Sequence, residues 1–146
     1  MVGDYVPFYF APRSPMLFRL QKERIAANDL VYLVSSTTAI VNAGHGVVVS
    51  DGNAAHGLTS FHPVDMLDEV VDWPLMSARM WTNTDEDPDR KRRRQAEFLV
   101  HSHVPLDLVV TLAVCHQTVR SRVDEMLLRA AISLPIQVAP IWYFDA

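Results

Sequence analysis

Short apolar runs alternate with helically spaced apolar positions along most of this chain. Val6-Pro7-Phe8-Tyr9-Phe10 reads as a strand, and Pro7 argues for an edge position or a bulge. Ser14-Pro15 is a helix start, with Ser as N-cap and Pro in the first turn, leading into Met16-Leu17-Phe18-Arg19-Leu20. Leu30-Val31-Tyr32-Leu33-Val34 predicts a second strand. Ser35 or Ser36 then caps a short helix that ends at Gly44. Val47-Val48-Val49 is a further strand, and Asp51-Gly52-Asn53 a turn.

Helical patterns follow over residues 63–71, with Val64, Leu67, Val70 and Val71, and over residues 73–81, with Leu75, Met76, Met80 and Trp81. A charged loop precedes the apolar run Ala96-Glu97-Phe98-Leu99-Val100, which reads as a buried strand. Residues 105–114 are apolar again. Residues 117–131 form an amphipathic helix with Val119, Val123, Met126, Leu127 and Ala130 on one face, ended by Pro135. Ile136-Gln137-Val138 and Ile141-Trp142-Tyr143-Phe144 close the chain as strands. The pattern predicts a mixed α/β or α+β domain. It lacks the βαβ cadence and the Gly-rich phosphate loop of a Rossmann or P-loop protein.

Length and composition add limits. A chain of 146 residues is expected to form a single domain over residues 1–146. At 49% hydrophobic and 21% charged residues it has the balance of a globular protein. There is no apolar run long enough for a membrane helix, and Met1-Val2-Gly3-Asp4-Tyr5 does not resemble a signal peptide. A cytoplasmic location is the expectation. The one cysteine, Cys115, sits in an apolar run and reads as a small buried hydrophobe. A net charge of −4 carries no overall nucleic-acid signature, so such binding would need a local patch.

Two features carry candidate chemistry. Glu97 is a lone acid at the start of a buried strand, costly to bury unless it is paired or used. It is either an ion-paired structural residue or a working carboxylate. Just before it, Asp85-Glu86-Asp87-Pro88-Asp89 gives way to Arg90-Lys91-Arg92-Arg93-Arg94. This run is either a solvated loop whose charges offset each other or a cationic rim, with Arg92, Arg93 and Arg94 holding a phosphate backbone. The histidines show no zinc spacing, so no metal is expected.

Several segments, in order, resemble the DarT family of DNA ADP-ribosyltransferase toxins. They are Asp4-Tyr5-Val6-Pro7-Phe8-Tyr9-Phe10-Ala11-Pro12-Arg13-Ser14-Pro15-Met16-Leu17, Leu30-Val31-Tyr32-Leu33-Val34-Ser35-Ser36 and Ser50-Asp51-Gly52-Asn53-Ala54-Ala55. Arg92-Arg93-Arg94-Gln95-Ala96-Glu97-Phe98-Leu99-Val100 resembles the segment that bears the family's catalytic glutamate, and Trp142-Tyr143-Phe144 the family's ending. The resemblance implies an α+β, ADP-ribosyltransferase-like fold: two packed, mainly antiparallel sheets with peripheral helices around a cleft for NAD. It implies transfer of ADP-ribose from NAD to a base in single-stranded DNA, thymidine in the branch this chain most resembles. It also implies a macrodomain antitoxin partner of the DarG type.

On this reading Glu97 is catalytic. Tyr9 lines the nicotinamide pocket, or is a core tyrosine. Asn53 approaches the DNA base, or is a plain turn residue. Arg13 contacts phosphate or DNA, or merely flanks the helix cap. Two departures stand out. The family's His-x-Thr element and catalytic arginine belong to a region ahead of the Asp-Tyr-Val-Pro-Phe-Tyr motif, so the chain is expected to lack the N-terminal NAD-binding part and to be inactive alone. Ser60 also stands where members usually carry a basic residue. Three readings result: an incomplete DarT-type transferase, a non-catalytic remnant that binds nucleic acid, and an interaction domain in which Glu97 is a structural ion-pair residue.

Overall fold

The computed structural model describes residues 2–23 and 25–144. Its strands are β1 Tyr5–Tyr9, β2 Tyr32–Ser35, β3 Val47–Ser50, β4 Phe61–Pro63, β5 Glu97–His101, β6 Val109–Val114 and β7 Ile136–Val138. Its α-helices are α1 Pro15–Glu23, α2 Thr37–Asn42, α3 Leu67–Val70, α4 Trp73–Ser77, α5 Arg90–Arg93 and α6 Gln117–Arg129. The architecture is α+β, with one four-stranded and one three-stranded sheet, mainly antiparallel. The chain divides into two compact units, residues 1–16 with 41–104 and residues 17–40 with 105–146.

The first unit holds the sheet β1-β5-β3-β4. Pro7 sits on β1 at the sheet's edge, where a missing backbone N–H is tolerated. β5 is central, and its first four residues are buried because both of its faces are covered. Phe98 and Val100 lie on one face of β5 and Glu97 and Leu99 on the other, by the two-residue period of a strand. Phe10 packs edge-on against Phe98 and Trp73.

The second unit holds β2-β6-β7, with β6 and β7 parallel. Its core gathers Leu112, Val114 and Cys115 with Val119 and Val123 of α6, Ile136 and Tyr143. Cys115 is fully buried, and burial raises its thiol pKa. The Tyr143 hydroxyl lies 3.0 Å from the Leu30 carbonyl and 2.9 Å from that of Ala113, fastening the C-terminal segment to both strand regions.

Several sequence expectations change, among them the helix expected over 73–81, which ends at Ser77 where Ala78 turns extended. The predicted helix over 63–71 is β4, a 3-10 turn at Val64–Met66 and the short α3. α6 stops at Arg129, before Pro135, because Ala131 takes a left-handed backbone with φ 54°. Met126, expected on its buried face, is 65% exposed. Residues 141–144 are not a strand: Pro140–Trp142 is a 3-10 turn started by Pro140, and aromatic packing of Trp142 and Tyr143 on Tyr32 replaces sheet pairing. The short helix over 37–42 forms as expected, with Ser36 Oγ accepting from the Ala39 N–H and Gly44 at φ 80° behind it.

Removing the Tyr143 hydroxyl leaves buried carbonyls short of a donor, which costs about 1–3 kcal/mol. Tyr143→Phe is therefore expected to lower the free energy of unfolding in a urea titration by that amount, moving the midpoint to lower urea, while leaving the far-UV circular dichroism unchanged.

Candidate active site

Strand register builds the site. β1, β5 and β3 place Tyr9, Glu97 and Ser50 directly opposite one another in a row, and β4 adds Phe61 beside Ser50. Residues opposite each other across antiparallel strands share a face. Glu97 is only 5% exposed. Its Oε2 accepts a 2.6 Å hydrogen bond from the Ala54 N–H. Ser50 Oγ accepts from the Glu97 N–H at 3.1 Å and donates to the Gly52 carbonyl at 2.7 Å, so the backbone under the carboxylate is also fixed.

Burial raises the Glu97 pKa above the ordinary glutamate value, and the Ala54 amide works against that shift by favouring the anion. Tyr9 is pushed up to about 12, first by burial and then by the negative charge of Glu97. The electrostatic link and the shared register put the two side chains in one neighbourhood. Further along the same face lies a hollow of about 260 Å³ lined by Val2, Tyr5, Val48, Phe61 and Leu99.

The Ala54 donor comes from the loop of residues 51–60. Asn53 Oδ1 accepts from the Ala55 N–H at 3.0 Å, a local turn that asparagine favours. The Asn53 carbonyl accepts from Thr59 Oγ1 at 2.7 Å and from the His56 N–H at 2.9 Å. Asp51 Oδ1 accepts from the Ser60 N–H at 2.8 Å and closes the neck.

The basic run does not form an open rim. Arg92 pairs with Asp89 at 2.8 Å and Asp51 at 3.0 Å, and Arg93 with Asp87 at 2.8 Å and Asp72 at 3.1 Å. Arg94 is 5% exposed and donates to the carbonyls of Leu75, Met76, Ala78 and Pro12. Arg90 donates to the carbonyls of Met80 and Thr82. The acidic stretch folds back onto the arginines, holding Asp87 at about 2 through its Arg93 hydrogen bond and Asp89 below the usual carboxylate range through Arg92. Most of the guanidinium donors of Arg92, Arg93 and Arg94 are thus engaged within the fold, while the buried Nε of Arg94 has no hydrogen-bond partner among the described residues.

Arg13 lies between β1 and α1 with φ 56°, a left-handed backbone uncommon outside glycine. Its positive charge adds to burial in depressing the Arg94 pKa, burial being the larger cause. The structure thus brings Tyr9, Glu97 and the Asn53 loop together, and sets Arg13 beside Arg94.

A family model described as "ssDNA thymidine ADP-ribosyltransferase, DarT" matches residues 1–144. The chain belongs to the DarT family. A Mycobacterium tuberculosis protein named DNA ADP-ribosyl transferase is 42% identical over 132 residues, covering 87% of this chain and 57% of its own length. This chain therefore spans little more than half of that DarT relative. The solved structure of Thermus sp. 2.9 DarT in complex with NAD+ superposes with a TM-score of 0.88 at 29% identity, covering 98% of this chain and 74% of the other. The same DarT in complex with ADP-ribosylated ssDNA gives 0.88 at 30%, covering 99% and 70%. A Thermosipho africanus transferase fused to a DNA ADP-ribosyl glycohydrolase is 23% identical over 141 residues, covering 97% of this chain and 35% of the fusion.

The DarT motifs led to Glu97 and Tyr9 but not to the groups that hold Glu97. Ala54 contributes a backbone N–H, for which side-chain identity gives no signal. Gly52 did carry one: a glycine inside a turn marks a close approach, and a Cβ there would come 2.6 Å from Arg92 Nη1.

The raised pKa of Glu97 fixes the sign of a stability effect. The folded state holds the proton more tightly, so the contribution of this group is greatest below the unfolded glutamate pKa and is lost as pH rises through the folded one. Glu97→Gln keeps an acceptor for Ala54 without the charge. Its Tm is expected above wild type at pH 7, with the gap closing below pH 4.5, the unperturbed glutamate value, in a thermal-melt series.

Proposed function

We propose that this chain carries the glutamate-bearing part of an NAD-dependent transferase that moves ADP-ribose onto thymidine in single-stranded DNA. The observation that carries the reading is a nearly buried carboxylate at the start of a central strand, pinned on one oxygen and paired across the sheet with Tyr9. Family membership and the Thermus structures with NAD+ and with ADP-ribosylated ssDNA support it.

In the proposed reaction the bond between nicotinamide and ribose breaks, nicotinamide leaves with the bonding pair, and a base atom bonds the ribose carbon and gives up its proton. Positive charge builds on the ribose on the way, as in glycoside hydrolysis. Glu97, with Oε2 held by Ala54, is positioned to stabilise that charge and to accept from a ribose hydroxyl through Oε1. Tyr9 walls the nicotinamide side. The loop of residues 51–60, with Asn53, borders the base, and Arg13 faces phosphate. NAD is the donor substrate, and no metal enters the scheme.

We further propose a toxin role in the cytoplasm, opposed by a macrodomain antitoxin of the DarG type. The Thermosipho fusion, which names a transferase and a glycohydrolase in one chain, supports such a pairing.

The test uses NAD and oligonucleotides with or without thymine, with mass spectrometry of the DNA. The protein is this chain, alone and joined to the uncovered part of the M. tuberculosis relative. Thymine-dependent mass gain is expected from the joined form, and Glu97→Gln should reduce its rate by about 100–1000-fold, the usual loss when a transition-state stabiliser is removed. The rate should also fall on the acid side at a pH above the ordinary glutamate range, because Glu97 must be ionised and burial raises its pKa. Modification of thymine-free DNA at the same rate, full activity of Glu97→Gln, or no transfer by either form overturns the reading.

A further inference from the structure

Arg92 reaches from the charged run to the loop that holds Glu97. Its Nε and Nη2 donate to Asp89 Oδ1 and Oδ2, both at 2.8 Å, a fork-on-fork pair. Its remaining nitrogen, Nη1, donates to Asp51 Oδ1 at 3.0 Å. Asp51 Oδ1 is also the acceptor for the Ser60 N–H, and the Asp51 N–H donates back to the Ser60 carbonyl at 3.2 Å. The guanidinium therefore sits at the neck of the 51–60 loop. Gly52 leaves the space it occupies: a Cβ there would meet Arg92 Nη1 at 2.6 Å and Cγ at 3.0 Å.

Two short paths lead from this neck to Glu97. One runs along the loop backbone to the Ala54 N–H and Oε2. The other runs from the Gly52 carbonyl to Ser50 Oγ and on to the Glu97 N–H. Arg93, on the same turn of α5, pairs with Asp87 and Asp72 instead and makes no hydrogen bond to the loop.

We propose that Arg92 is a positioning residue for Glu97: clamped on Asp89, it fixes Asp51 and Gly52 so that the Ala54 N–H stays aimed at the carboxylate. The fork is suited to this because it spans two carboxylates at set angles, which a lysine ammonium does not. The catalytic meaning rests on the reading of Glu97 as the transferase carboxylate; the geometry does not.

The test is nuclear magnetic resonance on the full 146-residue chain, without substrate. An amide bonded to a carboxylate shifts as that carboxylate titrates, so the Ala54 proton should follow Glu97 through a pH series in the wild type. In Arg92→Ala that titration should lose at least half its amplitude, and Ala54 exchange with solvent deuterium should quicken by about tenfold or more through local opening. Exchange of the Val100 and Leu112 amides should stay unchanged. Arg92→Lys should restore the effect only partly. Asp51→Asn, which keeps an acceptor for Ser60 but drops the charge, should reproduce the loss and decides the question if Arg92→Ala does not fold.

An unaltered Ala54 titration in a folded Arg92 or Asp51 variant overturns the proposal. So does an equal loss in Arg93→Ala, which would mark general loosening. Since no turnover is measured, absence of transfer activity leaves this result standing, and the reverse also holds.

Discussion

A carboxylate kept almost out of water is the constraint around which the first unit is arranged. An ionised acid is stable there only where donors replace the water it loses. In this unit one such donor is a backbone amide from the loop of residues 51–60. The loop is closed on itself by Asn53, Thr59 and Ser60 and tied at its neck to the charged run. The paired β1, β5 and β3 strands set where the carboxylate is, and the loop sets its orientation. Strand and loop together fix both the place and the direction of the carboxylate.

The charged run has an unexpected part in this. Five basic residues in a row suggest a surface for polyanions, yet Asp87 and Asp89, just ahead of them in sequence, are the partners of Arg93 and Arg92 in space. The run is nearly self-neutral, and its arginines act as connectors: Arg94 gathers carbonyls from α4 and the β1–α1 loop, Arg93 ties to the start of α4, and Arg92 ties to the 51–60 loop. Short reach explains why. With Pro88 between them, the acids turn back within a few residues and meet the arginines before any external anion does.

Much of the fold was legible because its signals are local. β1, β2, β3, β5 and α6 announce themselves through apolar spacing, and Ser36 and Gly44 bracket α2. The failures came where tertiary contacts overrule local pattern. Residues 141–144 look like a strand, but their aromatics pack on Tyr32 and so leave the sheet. Met126 keeps helical spacing with Val119 and Val123 yet lies outward, since the periodicity of α6 extends past the surface it covers. At the site, Glu97 and Tyr9 were visible as side chains with matching motifs. The Asp51–Arg92 bond joins residues 41 positions apart, and no spacing rule forecasts such a pair.

The Ala54 amide has a consequence for how this site tolerates change. A donor supplied by the main chain is the same donor whatever side chain is attached, so residue identity at 54 carries almost none of its chemistry. Alanine scanning is blind to it, and a chain with a different residue at that position keeps the contact as long as the loop keeps its path. Only proline, which has no N–H, deletes the donor outright. Two proteins of this architecture can therefore look unlike each other around the carboxylate and still hold it in the same way. The variable to compare between them is the course of the backbone, not the lettering of the loop.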